Sequence, residues 1–290
     1  MSSPDEKMVQ ETAYAKVNLT LEVLGRRQDG YHEIRSILQT ISLADHLTFR
    51  QADGLHLDCT VPGLEGTSNL VMRAAHLMQT AIGRQPGAHI ELRKEVPVAA
   101  GLGGGSSDAA ATLRGLNRLW NLDLPFERLS TMGAALGSDV PFLLRGGTAL
   151  VRGRGEAVVP LAPAPSTWLV LLVPPLWLEN KTAYLYSLLD ADCYTSGEAT
   201  RRLSEELGKN RLPAGLLCNA FERVMHGAFS GISRFAAALV DAGARKVNLA
   251  GSGPTLYTTA QDEKDAEEIA QKLKPFSHRV FVVKTVAVVP

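Results

Sequence analysis

The chain has 290 residues, 45 % of them apolar, enough for one large or two modest domains with real cores. Its 30 basic and 30 acidic residues cancel, which argues against a nucleic-acid or acidic-membrane partner. No apolar run reaches the ~20 residues of a membrane span, Met1 to Gln10 is too polar for a signal peptide, and Cys59, Cys193 and Cys218 fit neither a disulfide framework nor a zinc site, so the expected compartment is the cytoplasm.

In chain order, Thr12 to Gly25 alternate as a strand with Tyr14, Lys16, Asn18, Thr20 and Glu22 on one face. Lys16 and Asn18 are therefore neighbours, either in a site or on a solvated face. The turn signal Asp29-Gly30 sets Tyr31 and His32 at a loop exit, where an aromatic ring and an imidazole can meet a ligand. Residues 34–61 read as strands with a turn at Asp53-Gly54. Ser68 or Asn69 caps a helix carrying Leu70, Ala74, Leu77, Met78 and Ala81, closed by Gly83. Residues 88–96 form a further strand.

The next stretch is the most informative. Pro97-Val98-Ala99-Ala100 leads into Gly101-Leu102-Gly103-Gly104-Gly105 and then Ser106-Ser107-Asp108. Ala109, Leu113, Leu116 and Trp120 follow at helical spacing, and Ser106, Ser107 and Asp108 are good N-cap or first-turn residues. A glycine turn entering a helix N-terminus offers backbone N–H groups and a positive dipole end to an anion, typically a phosphate. No lysine follows the last glycine as in a Walker A loop, and the spacing is not that of a dinucleotide fingerprint.

Pro125 starts another helix, with Phe126, Leu129, Met132 and Leu136, that stops at Gly137. Gly137-Ser138-Asp139-Val140-Pro141-Phe142 follows, in which Ser138 and Asp139 both suit a helix N-cap. Residues 147–151 and 157–162 read as strands, and Ala162-Pro163-Ala164-Pro165 as a domain boundary. A buried strand, Trp168 to Val173, ends at Pro174-Pro175. The charged stretch Asp190 to Arg211 reads as mobile or loosely helical. Helical patterns occupy 216–229, 231–242 and 263–274, and Lys246 to Thr258 is a second strand–glycine turn–strand unit. Arg279 to Val289 closes the chain as an apolar strand.

Taken together, Ala15-Lys16-Val17-Asn18-Leu19, Asp29-Gly30-Tyr31-His32-Glu33, Gly101 to Ala110, Gly137 to Phe142 and Gly251-Ser252-Gly253-Pro254 resemble the motifs of the GHMP kinases, which phosphorylate small-molecule alcohols or related groups with ATP. The resemblance implies a mixed α/β (α+β) two-domain fold. Residues 1–162 would form a domain like the second domain of ribosomal protein S5, and 163–290 a ferredoxin-like sandwich, with the active site in the cleft between them. It implies Asp139 as catalytic base with Lys16 as its partner. Pro97, Val98, Ala99, Ala100, Gly101, Leu102, Gly103, Gly104, Gly105, Ser106 and Ser107 would hold ATP, with Lys94 and Asn69 near the adenosine. Ser107 would contact Mg2+. The acceptor implied is the 2-hydroxyl of cytidine diphosphate methylerythritol, in the non-mevalonate route to isoprenoid precursors. Tyr31 and Tyr184, from different domains, would sandwich the cytosine, and His32 would bond its edge. Asn18, Gly251 and Ser252 complete the substrate side. The expected partner is this small molecule, with no nucleic acid or membrane, and the protein a monomer or weak homodimer.

The sequence departs from the family pattern at three places. Ala250 stands where Ser is usual, Asn219-Ala220-Phe221-Glu222 where Asn-Asp-Leu-Glu is frequent, and Asn180 where Thr is common. Rival readings are a homoserine- or mevalonate-type kinase of the same family and a non-catalytic nucleotide- or RNA-binding module.

Overall fold

A computed structural model describes residues 7–276 and 279–287. Two compact units are interleaved along the chain. The first takes the residues up to Ala15, Leu43–Val98 and Gly103–Arg145, and the second takes Lys16–Ser42, Ala99–Leu102 and the residues from Gly146 on. The long strands β1 (Met8–Arg26) and β2 (His32–Arg50) each pass from one unit into the other.

In the first unit, β4 (Ala88–Arg93) pairs antiparallel with β2 at His46–Arg50 and parallel with β3 (Leu55–Cys59). The sheet carries α1 (Leu70–Ile82), α2 (Gly104–Leu119), α3 (Phe126–Leu136) and α4 (Val140–Arg145). Helix α1 begins and ends where its sequence says. The Asn69 side chain accepts the Val71 N–H, and Gly83 closes the helix in the left-handed conformation. Helix α2 lies directly on the strands, for a Cβ on Gly115 would come within 2.4 Å of the Phe49 ring. This helix starts at Gly104, ahead of the expected serines, because Gly103 at φ 74 makes the turn and no side chain caps it.

In the second unit, β2 pairs antiparallel at Ile34–Gln39 with β5 (Thr148–Gly153), which also pairs with β6 (Ala157–Pro160). A four-stranded antiparallel sheet has the order β11 (Val280–Lys284), β7 (Trp168–Leu172), β10 (Leu256–Thr259), β9 (Asn248–Leu249). Helices α8 (Ile232–Ala242) and α9 (Glu263–Leu273) bury Phe235, Leu239, Ile269 and Leu273 in one core with Val170, Leu172 and Leu256. This is the sheet-and-helix layer expected of a ferredoxin-like sandwich. The charged segment 190–211 is not loose: α6 (Glu198–Leu207) buries Thr200, Leu203 and Leu207, and Glu22 accepts the Thr200 N–H at 2.7 Å.

The expected helix 216–229 does not form. Cys218–Asn219 instead make β8, parallel to β1 at Thr20 and Leu21, before a 3-10 turn at Ala220–Arg223 and a short helix α7 (Met225–Ala228). The Asn219 side chain causes the break, taking the Phe221 N–H at 3.0 Å and ending the strand in a cap. Between α6 and β7, α5 (Lys181–Ser187) completes the helices. The closing strand ends at Lys284, and the expected residues 288 and 289 lie outside the described residues.

Candidate active site

In the second unit the two glycine turns meet backbone to backbone. A Cβ on Gly101 (φ 85) would stand 2.3 Å from the Ala250 carbonyl oxygen and 2.8 Å from the Gly253 nitrogen. A Cβ on Gly251 (φ 53) would stand 2.5 Å from the Gly101 oxygen and 3.3 Å from Lys16 Nζ. Only glycine combines these dihedrals with this approach. Hydrogen bonds tie the same residues together: Lys16 N–H to the Leu102 oxygen at 2.9 Å, and Gly253 N–H to the Ala250 oxygen at 2.8 Å.

Strand β1 delivers its two predicted residues here. Lys16 is 4 % exposed and Asn18 6 %, so this strand face is buried rather than solvated. Lys16 Nζ donates to Asn18 Oδ1 at 2.8 Å, and Asn18 Nδ2 donates to Ser36 Oγ at 2.9 Å. The Tyr257 hydroxyl donates to the Asn18 carbonyl at 2.8 Å. Asn219 Nδ2 bonds the Leu249 and Gly251 carbonyls at 2.9 and 2.7 Å, so this residue of the departing segment braces the late turn. The Thr182 hydroxyl donates to Ser252 Oγ at 3.1 Å. Lys181, Thr182, Asn219 and Tyr257 were not selected from sequence. The asparagine and lysine could have been noticed as polar residues beside motifs; the buried tyrosine carries no local signal.

The other part of the central loop belongs to the first unit, where Gly103 turns the chain and the first amides of α2 lack intrahelical acceptors. Gly105 is exposed and Ser106 half-buried. The Ser107 hydroxyl donates to the Tyr14 carbonyl at 2.7 Å, and Ser107 is 2 % exposed. Beneath the loop sits a buried charge cluster. Lys94 Nζ donates to Asp45 Oδ2 at 2.5 Å and to Asp108 Oδ2 at 2.7 Å. Asp45 Oδ1 takes the N–H groups of Glu95 and Val96 at 2.6 and 2.8 Å. Burial alone would lower the Lys94 pKa, but the charges of Asp108 and Asp45 outweigh it and raise it. Burial, with Asp45 assisting and Lys94 opposing, pushes Asp108 up to about 7. A Cβ on Gly104 would press on Val96 at 3.0 Å and on Lys94 Nζ at 3.3 Å, so the loop rests directly on this cluster. Asn69 is occupied in capping α1 and in donating to the Leu64 carbonyl at 2.6 Å. Asp139 immediately precedes α4, and its carbonyl accepts the Leu143 N–H at 3.1 Å.

The aromatic residues belong to the second unit, Tyr31 and Tyr184 alike. Tyr31 is 55 % exposed, held by its N–H to Asp29 Oδ1 at 3.1 Å, with the Arg154 guanidinium 4.7 Å from its ring centroid. Tyr184, on α5, is 41 % exposed. The His32 ring stacks on Tyr186 at 4.9 Å and 14°, and meets the edge of Tyr194 at 6.1 Å. Burial and then Arg26 lower the His32 pKa, which favours the neutral ring.

Two touching glycine turns beside a buried lysine-asparagine pair agree with the class of small-molecule kinase that the motifs resemble. The family pattern for the GHMP kinases N terminal domain matches residues 69–147, and that for the GHMP kinases C terminal domain matches 218–278. A "4-diphosphocytidyl-2-C-methyl-D-erythritol kinase" of Dehalococcoides mccartyi strain BAV1 is 44 % identical over 274 residues, 94 % of this chain and 96 % of that protein. A crystal structure of a 4-(cytidine 5'-diphospho)-2C-methyl-D-erythritol kinase superposes with a TM-score of 0.82 at 33 % identity, covering 95 % of this chain and 98 % of the other. A homoserine kinase from Cytophaga hutchinsonii, at 20 % identity and a TM-score of 0.73, covers 100 % of this chain and 97 % of its own, and shares the fold. The chain belongs to the 4-diphosphocytidyl-2-C-methyl-D-erythritol kinases of the GHMP kinase family.

Proposed function

We propose that this protein transfers the γ-phosphoryl group of ATP to the 2-hydroxyl of 4-diphosphocytidyl-2-C-methyl-D-erythritol, in the non-mevalonate route to isoprenoid precursors. The observation that carries the reading is the meeting of Gly101 and Gly251 beside the Lys16 ammonium. Asp139 is the base. The hydroxyl proton passes to its carboxylate, the alcohol oxygen bonds to the γ-phosphorus, the bond to the β,γ-bridging oxygen breaks, and ADP leaves. Lys16 supplies positive charge that favours the ionised base and the developing alkoxide. Asn18 holds the Lys16 ammonium in place. Such a transfer needs positioning and charge neutralisation more than covalent help, so few groups suffice.

Residues 97–107 hold the nucleotide phosphates through backbone N–H groups, and Lys94 and Asn69 shape the adenosine end from beneath. Mg2+, bound to the phosphates, would neutralise their charge. The Ser106 or Ser107 hydroxyl would touch that ion. Tyr31 and Tyr184 stack on the cytosine, His32 bonds its edge, and Gly251 and Ser252 border the acceptor. In this reading residues 1–162 contribute the ATP loop, Lys16 and Asp139, and residues 163–290 the late glycine turn. The setting is the cytoplasm, with the protein a monomer or weak homodimer. No helix among the described residues is long and apolar enough to cross a membrane.

A coupled ADP-release assay tests the reading. Turnover with the cytidine diphosphate alcohol should exceed that with homoserine or mevalonate by orders of magnitude. Faster turnover with either of those overturns the acceptor assignment.

A further inference from the structure

The side chain of Lys181 has no place in the mechanism above, yet it lies against both glycine turns. From the start of α5 its ammonium donates to the Ala99 carbonyl at 2.7 Å and to the Gly253 carbonyl. Ala99 stands at φ 54 and Gly253 at φ 70, each beside one of the touching glycines, Gly101 and Gly251. The Lys181 ammonium therefore joins the two turns from one side while Lys16 Nζ approaches them from β1. We infer that Lys181 is a phosphate-binding residue of this kinase, its third N–H serving a diphosphate oxygen held at the paired turns. The inference rests on the kinase reading given above and adds a residue to it.

Three observations support it. An ammonium has three donors, and two neutral carbonyls use only two of them. No carboxylate among the described residues forms an ion pair with Lys181; the charged group acting on it is another cation, Lys16. The segments it bonds, Ala99–Leu102 and Gly251–Gly253, carry no ionisable side chain, and the other titratable residues of α5 are Tyr184 and Tyr186. The like charge of Lys16 disfavours the charged form of Lys181, which an anion at its third N–H would favour. Burial, and then the Lys16 charge, accordingly lower the Lys181 pKa to about 8. A diphosphate would reverse both effects, so its arrival should bring a proton to Lys181.

Diphosphate is common to the nucleotide and to the cytidine substrate, and the two sources can be separated. Titration calorimetry of the full chain at pH 8, with ADP and separately with CDP, in two buffers of different protonation enthalpy, measures proton uptake. For a lysine near pKa 8 that becomes fully charged on binding, about half a proton should be taken up by wild type. The ligand that shows uptake is the one Lys181 contacts. Lys181→Met should abolish that uptake and weaken the same ligand about tenfold, the loss of one charge-assisted hydrogen bond. Lys181→Arg, which keeps its charge at pH 8, should bind without uptake and with most of the affinity restored. Equal affinity and equal uptake in wild type and Lys181→Met, or no uptake by wild type with either diphosphate, overturns the inference. Phosphorylation of the cytidine diphosphate alcohol by wild type is scored separately. Its failure would strike the acceptor assignment and leave Lys181 decided by ADP and CDP.

Discussion

Two lysines sit against the central loop and live in opposite surroundings. Lys94, in the first unit, faces Asp45 and Asp108 and is held charged by them. Lys181, in the second unit, faces two carbonyl oxygens and a second lysine, and its pKa falls. A cation that meets its carboxylates within the chain is part of the scaffold. One that meets only carbonyls and a like charge is poised for an anion from outside. The same side chain thus supports the loop in one place and awaits a phosphate in the other, and charge partners rather than burial make the difference.

The largest effect tests the phosphate side. Asp139→Asn keeps the shape but removes the proposed base, and turnover should fall on the order of 100- to 10,000-fold while ADP still binds. A helix cap and nothing more would cost about 1 kcal/mol of stability on truncation, with near-normal turnover. Steady-state kinetics beside a thermal melt distinguishes the two.

Stability separates the two lysines directly. Lys94→Met leaves two buried carboxylates facing one another and should cost about 3–5 kcal/mol in urea unfolding. Lys181→Met removes a cation that has no internal counter-charge and should change stability by less than about 1 kcal/mol. Similar losses in both variants would erase the contrast.

A smaller effect reports on Asp108. Its folded pKa of about 7 lies above the ordinary carboxylate value of about 4, so between those two pH values the folded state binds more protons than the unfolded chain. Stability therefore falls as pH rises from about 4 to 7 and levels off above. Asp108→Asn removes the titration, and its stability relative to wild type should improve by roughly 2 kcal/mol between pH 5 and pH 8. Unfolding curves with the same pH slope in variant and wild type would refute this.

The smallest effect lies at the aromatic end. Tyr184→Ala should raise KM for the cytidine substrate about tenfold, in line with base stacking of roughly 1–3 kcal/mol, and leave KM for ATP almost unchanged. Parallel rises in both constants would point to a disturbed α5, which also carries Lys181.

Local chemistry was legible in the sequence wherever one residue decides one structure. Asn69 and Gly83 bound α1, Asp29-Gly30 turns the chain into Tyr31, and alternation places Lys16 and Asn18 on one face. The motif combination led to the family and its fold, because glycine turns and a spaced lysine, tyrosine-histidine and aspartate are rare in concert. Other features needed distant partners. The helical pattern at 216–229 yields to Asn219, whose amide finds Leu249 and Gly251, about thirty residues on. Segment 190–211 is polar enough to read as loose, but Leu203 and Leu207 fold it onto a core that sequence periodicity does not locate. Lys94, Asp45 and Asp108 are scattered, and Lys181 lies in a segment without a motif. Spacing and turn chemistry by themselves marked the loops, and the resemblance of those loops to a family's motifs supplied the class of enzyme. Which lysine is neutralised inside the chain and which is left facing a like charge was decided only by tertiary structure, because electrostatic partnership depends on distance in space and the chain brings those partners together only when it folds.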